Sequence, residues 1–307
     1  MTAAQLPPPP GTWTLTQMVR AVDLTLERLR TLEVRLPPDN RLTRAGKSLK
    51  IAAGVPWDEL SEPMQATVFE ATRTVLEQHL IVRAMLASGH DVRERLRWLL
   101  KGADLPGQTE ETTPRDVQFE LVVGALLIMG GIQGVRPSEP DWRIRAGERE
   151  VGVAAKRISS RKNMTKTFRD AIGQLRRQDL SGLVIVNLDQ IARSPTPEEE
   201  QAKVTELVNG LRDLARTLGA EGDVIGVMGF VTGFDWWDYF GEGVIRLRMS
   251  YHAHIITDDM AREPSIRHTL SLIGHNALAS VLAALGDLEL RGGTPGGPPS
   301  SSDAVTR

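Results

Sequence analysis

The sequence predicts an α/β protein in which a central mixed sheet is flanked by helices and preceded by an α-helical N-terminal region. Three observations support this fold class. Apolar residues recur at intervals of three and four through much of residues 14–101, as in amphipathic helices. GLVIVNLD, residues 182–189, and DVIGVMGFVTGF, residues 223–234, are nearly continuous apolar runs, which are typical of strands covered on both faces. Helical patterns lie between these runs, as expected for a sheet flanked by helices.

The composition is that of a globular protein with room for two domains. The chain has 307 residues, of which 41% are hydrophobic and 25% charged. No apolar run approaches the roughly 18 residues of a membrane span, and the opening MTAAQLPPPP lacks the order of a signal peptide, so we expect a cytoplasmic protein without membrane contact. The absence of cysteine excludes disulfides, thiolate catalysis and sulfur-based zinc sites.

Four segments follow from the pattern. Residues 1–13 contain four consecutive prolines and are expected to be disordered, as is the Gly/Pro/Ser-rich tail, residues 291–307. Residues 14–112 form the helical N-terminal region, with a less regular stretch at 39–61, and residues 113–290 form the α/β domain. The N-terminal helices would bind a protein partner, mediate homo-oligomerisation or cover an edge of the sheet.

A basic segment stands out against the net charge of −2. Residues 156–177 contain eight Lys or Arg and one acid, Asp170, and a helix predicted from Met164 to Gln178 places its cations opposite an apolar stripe. Such a face predicts binding of nucleic acid, although a solvated basic helix has the same pattern. The residues predicted to contact nucleic acid are Arg157, Arg161, Lys162, Lys166, Arg169, Arg176 and Arg177.

The stretch EPDWRIRAGEREVGVAAK, residues 139–156, predicts a β-hairpin whose strands cover residues 141–145 and 149–156. It places Asp141 and Lys156 on neighbouring strands, and an acid beside a lysine can hold a metal ion next to a phosphate. The preceding helix carries one ionisable residue, Glu120, between Asp116 and Gly130. A carboxylate in such an apolar helix requires a cation, a hydrogen-bond network or a metal, unless it lies at the helix edge facing water.

The order of a helix with Glu120, the hairpin, a basic helix and a buried strand resembles the restriction-endonuclease-like superfamily, the PD-(D/E)XK nucleases. Pro140-Asp141 matches the first half of the signature and Ala154-Ala155-Lys156 occupies the second, and the resemblance covers about residues 113–190. It implies a restriction-endonuclease-like core and a nuclease that depends on Mg²⁺ or Mn²⁺ and acts on DNA, less readily on RNA. It also implies roles for four residues: Asp141 and Glu120 as metal ligands, Lys156 as the activating cation, and Gln174 as a further oxygen donor.

Ala154 departs from that signature, because the position two before the lysine is expected to be acidic and a methyl group cannot bind metal. Glu150 shares the strand face of Lys156 but lies about 20 Å away along the strand, too far to replace the missing ligand. Two hypotheses follow. The chain is either a metal-dependent nuclease that uses Asp141 and Glu120, or a catalytically silent nuclease-fold module that binds nucleic acid or a protein partner.

Overall fold

The computed structural model describes residues 13–104, 113–194, 196–218, 224–238 and 245–255, together with positions 268 and 271. Within these residues, a mixed sheet is flanked by helices on both faces, which confirms the predicted α/β class and central mixed sheet. The predicted disordered segments lie outside the described residues, except for Trp13. Among the described residues, no helix combines the length and apolar character that a bilayer crossing requires.

The helices of the described part are α1 (Leu15–Thr31), α2 (Arg41–Ala52), α3 (Glu62–Ser88), α4 (Arg93–Leu99), α5 (Thr113–Met129), α6 (Arg161–Arg177), α7 (Asp189–Ala192) and α8 (Pro197–Leu218), with a 3₁₀ turn at Trp57–Glu59. The strands are β1 (Trp13–Thr14), β2 (Arg136–Pro137), β3 (Trp142–Ala146), β4 (Arg149–Arg157), β5 (Gly182–Asn187), β6 (Val224–Asp238) and β7 (Ile245–Ile255). The sheet order is β1-β7-β6-β5-β4-β3-β2.

Strand β4 lies between the two kinds of pairing. It pairs antiparallel with β3, where Trp142 is opposite Val153, and parallel with β5, where Lys156 is opposite Val186. Strand β6 is also parallel to β5. The carboxyl ends of β4 and β5 therefore lie together at one edge of the sheet, beside Phe230 in the middle of β6, and this is the position at which α/β proteins commonly bind ligands.

Alternation along β4 separates two hydrophobic cores. Ala155 belongs to the core that the sheet shares with α1–α5, whereas Ala154 belongs to the core formed with α6 and α8. The N-terminal helices therefore pack against one face of the sheet. They also lie near its edge, because β1 pairs with β7 just before α1 begins.

Two predictions about the N-terminal region were wrong. Residues 39–61, for which the sequence analysis predicted less regular structure and no helix, contain α2, which begins with a reciprocal cap between Asn40 and Thr43. Trp13, assigned to the disordered segment, pairs with Leu247 and is buried. Both errors arise because tertiary packing can override the local preference of a short polar or proline-rich segment.

A buried ion pair joins the N-terminal helices to the carboxyl edge of the sheet. The guanidinium of Arg73 on α3 lies 2.6 Å from Asp189 Oδ2 at the start of α7. The same carboxylate accepts hydrogen bonds from the Asn187 amide, and from the backbone N–H and hydroxyl of Thr232 on β6. Burial alone would raise the pKa of Asp189, but Arg73 and these hydrogen bonds outweigh it and lower the pKa below its ordinary value.

We predict that Asp189→Asn lowers the free energy of unfolding by about 3 kcal/mol at pH 7, because it removes one of the two carboxylates that pair with the buried Arg73 guanidinium. The native pKa of Asp189 is depressed, so its contribution is present at neutral pH and is lost as the pH falls through that value. Denaturant unfolding at several pH values should therefore show the difference from the parent narrowing in acid. Asp170→Asn, at an exposed position on α6, serves as the control and should change stability by less than about 0.5 kcal/mol.

Candidate functional site

The hairpin brings Asp141 and Lys156 together. Asp141 lies immediately before β3 and is 6% exposed. Its Oδ2 accepts a hydrogen bond from the backbone N–H of Ala155 at 2.8 Å and one from Lys156 Nζ at 3.1 Å. The carboxylate is therefore held at a defined position at the open end of the β3–β4 hairpin, next to the pair Trp142–Val153.

Helix α5 docks on β3 through Trp142. The indole packs so close to the helix that a Cβ atom at Gly124 would lie 2.0 Å from it, so this position requires glycine. The indole N–H donates a 2.7 Å hydrogen bond to the backbone carbonyl of Glu120. These contacts set the position of α5 along the hairpin and bring Glu120 to the same end of the hairpin as Asp141.

Arg95 of α4 connects Glu120 and Asp141, and the sequence analysis missed it. One terminal nitrogen donates to Glu120 Oε2 at 2.7 Å, and the other donates to the backbone carbonyl of Asp141 at 3.5 Å. The guanidinium also lies over the ring of Trp142, 5.6 Å from its centre. We call Glu120, Asp141, Lys156 and Arg95 the Asp141 cluster.

Burial dominates the electrostatics of the two acids. It raises the pKa of Glu120, Asp141 raises it further, and Arg95 and Lys156 oppose the change, so that the pKa is about 7. Burial also raises the pKa of Asp141, against the opposing effects of Lys156 and the Ala155 N–H. The side chain of Glu120 is only 20% exposed, so the water-facing alternative does not hold.

Each carboxylate of the cluster keeps one oxygen without a hydrogen-bond donor in the described part of the chain. Oδ2 of Asp141 and Oε2 of Glu120 accept the bonds given above, whereas Asp141 Oδ1 and Glu120 Oε1 accept none there. Carboxylate oxygens suit Mg²⁺ or Mn²⁺, and Mg²⁺ often uses one or two carboxylates with water and substrate phosphate completing its shell. The donor set therefore fits such an ion, although no group of three or more acidic or histidine ligands occurs among the described residues.

Two other signature positions contribute no ligand to this donor set. Ala154 is fully buried in the core shared with α6, and its methyl group supplies no ligand. Gln174 is on α6, beside Leu175, which packs against Gly152 and Gly182 near the starts of their strands. No hydrogen bond links Gln174 to the Asp141 cluster in the described part of the chain, and its buried Oε1 has no donor there.

The predicted nucleic-acid contacts separate into two groups. On α6 the apolar stripe is buried, through Phe168, Ala171 and Leu175. The opposite face is exposed and carries Lys162, Lys166, Arg169, Arg176 and Arg177, with Arg161 paired to Glu206 of α8. Arg157, in contrast, is mostly buried and pairs with Asp116 of α5, so it does not belong to the exposed basic face.

Comparisons with known proteins add no relative to this description. No protein-family model matches the chain, and searches of curated proteins and of solved structures found no match.

We predict that Glu120→Gln removes a pH dependence of stability. The raised native pKa of Glu120 means that the folded state binds more protons than the unfolded state between about pH 4.5 and 7, so its contribution to stability falls as the pH rises through that interval. At pH 8 the variant should be more stable than the parent, by on the order of 2 kcal/mol.

Denaturant unfolding from pH 4 to 8 measures this effect, with Glu27→Gln as an exposed control on α1 that keeps the parental slope. Parallel pH profiles for Glu120→Gln and the parent would contradict the assigned environment of Glu120.

Proposed function

We propose that this chain is a metal-dependent nuclease with a restriction-endonuclease-like core, acting on DNA and less readily on RNA. The observation that carries the proposal is the convergence of Asp141, Glu120 and Lys156 at the end of the β3–β4 hairpin. The order of α5, the hairpin, α6 and β5 matches the order on which the resemblance rests.

In this proposal Asp141 Oδ1 and Glu120 Oε1 would hold the divalent cation, which supplies charge neutralisation and a bound water of lowered pKa. The Ala155 N–H and Lys156 keep the Asp141 carboxylate in place, and Arg95 does the same for Glu120. Lys156 also provides fixed positive potential where negative charge develops on the phosphate. The exposed cations of α6 hold backbone phosphates without reading sequence.

One observation favours the silent nuclease-fold module as a second candidate. Ala154 is fully buried in the core formed with α6, so an apolar residue occupies the usual second acidic position of the signature. In that case the basic face of α6 binds nucleic acid and no hydrolysis follows.

Cleavage assays distinguish these candidates. We predict that the purified chain cleaves plasmid or linear DNA with Mg²⁺ or Mn²⁺ but not with EDTA. Asp141→Asn should reduce the rate by about 100-fold or more, because the substitution removes an anionic ligand, and Lys156→Met should have an effect of similar size. Asp170→Asn serves as the control. Binding of DNA and RNA without cleavage under any of these conditions would establish the silent module instead.

A salt titration tests the basic face separately. We predict that the double variant Lys166→Gln with Arg169→Gln makes the slope of log K against log salt for duplex DNA shallower by about two, since each neutralised phosphate contributes about 0.9. Fluorescence anisotropy measures the slope between about 50 and 200 mM salt, a range over which the affinity of a phosphate-binding protein for DNA changes strongly. The matched control is the double variant Lys47→Gln with Lys50→Gln, on α2. An equal change in the salt slope for both double variants would show that α6 has no special role in binding DNA.

A further inference from the structure

A cavity of about 210 Å³ lies at the carboxyl edge of the sheet, apart from the acids of the Asp141 cluster. Arg157, the last residue of β4, and Asp189, just after β5, contribute to its wall. Helices α3 and α5 close the other side. We call it the arginine cavity because its lining contains four arginines, Arg73, Arg115, Arg157 and Arg193.

Four acids hold these arginines. Arg73 pairs with Glu77 and Asp189, and Arg157 pairs with Asp116. Arg115 and Arg193 share a single acid, Glu70.

A fifth guanidinium, that of Arg41, lies behind the wall and contacts no acid among the described residues. Arg41 is 1% exposed, and it donates to the neutral side chains of Gln118 and Thr74. Its Nε is buried without an acceptor in the described part of the chain. Among the contacts of the described residues, five guanidiniums thus share four carboxylates, which leaves an excess of positive charge in this region.

Each arginine raises the positive electrostatic potential at the neighbouring guanidiniums. Burial lowers the pKa of Arg115, and Arg73 and Arg157 lower it further against the opposing effect of Glu70. Burial also lowers the pKa of Arg157, and Arg73 adds to this effect while Asp116 opposes it. Buried positive charge in excess of its partners is costly, and an anion in the cavity would compensate it.

The hydrogen-bond donors that line the cavity lie at different depths below the surface. The side chain of Arg157 is 11% exposed, whereas that of Arg193 is 51% exposed and lies toward solvent. A guanidinium has five N–H donors, and Arg157 uses two of them in its bonds to Asp116 and Gln190. A space of about 210 Å³ is too small for the backbone of a duplex but admits a terminal phosphate group.

We propose that the arginine cavity binds a phosphomonoester, the dianionic phosphate group found at the end of a nucleic-acid strand or on a nucleoside monophosphate. The three terminal oxygens of this group accept several hydrogen bonds at once, and planar guanidiniums match that arrangement. Lys156 and Arg157 are consecutive on β4 but point to opposite faces, so the cavity and the Asp141 cluster are neighbouring and separate sites. Phosphate binding here does not require hydrolysis at Asp141.

Binding assays in EDTA test this proposal without cleavage. Fluorescence anisotropy compares one single-stranded oligonucleotide carrying either a 5′-phosphate or a 5′-hydroxyl, and thermal shifts compare a nucleoside 5′-monophosphate, inorganic phosphate and acetate at equal ionic strength. We expect the oligonucleotide with the 5′-phosphate to bind about tenfold or more tightly than the one with the 5′-hydroxyl, as for a charged hydrogen-bonding group. Alternatively, the two oligonucleotides bind equally and the nucleoside monophosphate raises the Tm more than acetate does. The first result identifies a strand end as the ligand and the second a free nucleotide.

The variants Arg157→Gln and Arg193→Gln should each reduce that preference to within about twofold. Arg93→Gln, which removes an exposed arginine paired with Glu33 and Asp91 outside the cavity, should retain it. Arg193 is half exposed, so its variant keeps the test valid if Arg157→Gln fails to fold. Equal affinity for the two oligonucleotides, together with equal Tm shifts from phosphate, monophosphate and acetate, would overturn the proposal.

Discussion

The hydrogen bonds that Ala155 and Lys156 donate to Asp141 are the contacts on which the rest of the arrangement depends. They hold the start of β3 against the end of β4 and place Trp142, the next residue, on the opposite face. Trp142 then packs against Gly124 and bonds the carbonyl of Glu120, which docks α5 on the hairpin. A local β-hairpin thus determines where a helical carboxylate lies.

The sequence predicted the elements better than the contacts between them. Periodicity was sufficient for α3, α6 and β5, and the alternation around Gly147 was sufficient for the hairpin, because these signals are local. The pairing of Asp141 with Lys156 followed from the hairpin. Position 124 carried an overlooked signal, since a glycine within an apolar helix often marks close approach of another group.

Arg95 and the arginine cavity were not predictable in the same way. Arg95 lies in a short amphipathic helix, for which the sequence predicts a surface position. Its contact with Glu120 arises only because α4 packs beside α5. The pairs Arg73–Asp189 and Arg193–Glu70 join residues more than 100 positions apart. Charge alone also grouped Arg157 with the cations of α6, although Arg157 lies on β4 and the helical and strand residues of this basic segment point to different surroundings.

Direct observation of a bound ion tests the central claim most directly. Crystals soaked in Mn²⁺ and measured near the manganese absorption edge should show one anomalous peak bonded to Asp141 Oδ1 and Glu120 Oε1, at the roughly 2.1 Å typical of such hard cations. The same soak of Asp141→Asn should show no peak there. If the parent shows no peak between these carboxylates while Lys156 and Arg95 keep their bonds to them, the cluster is a structural ion-pair network and the nuclease proposal is contradicted.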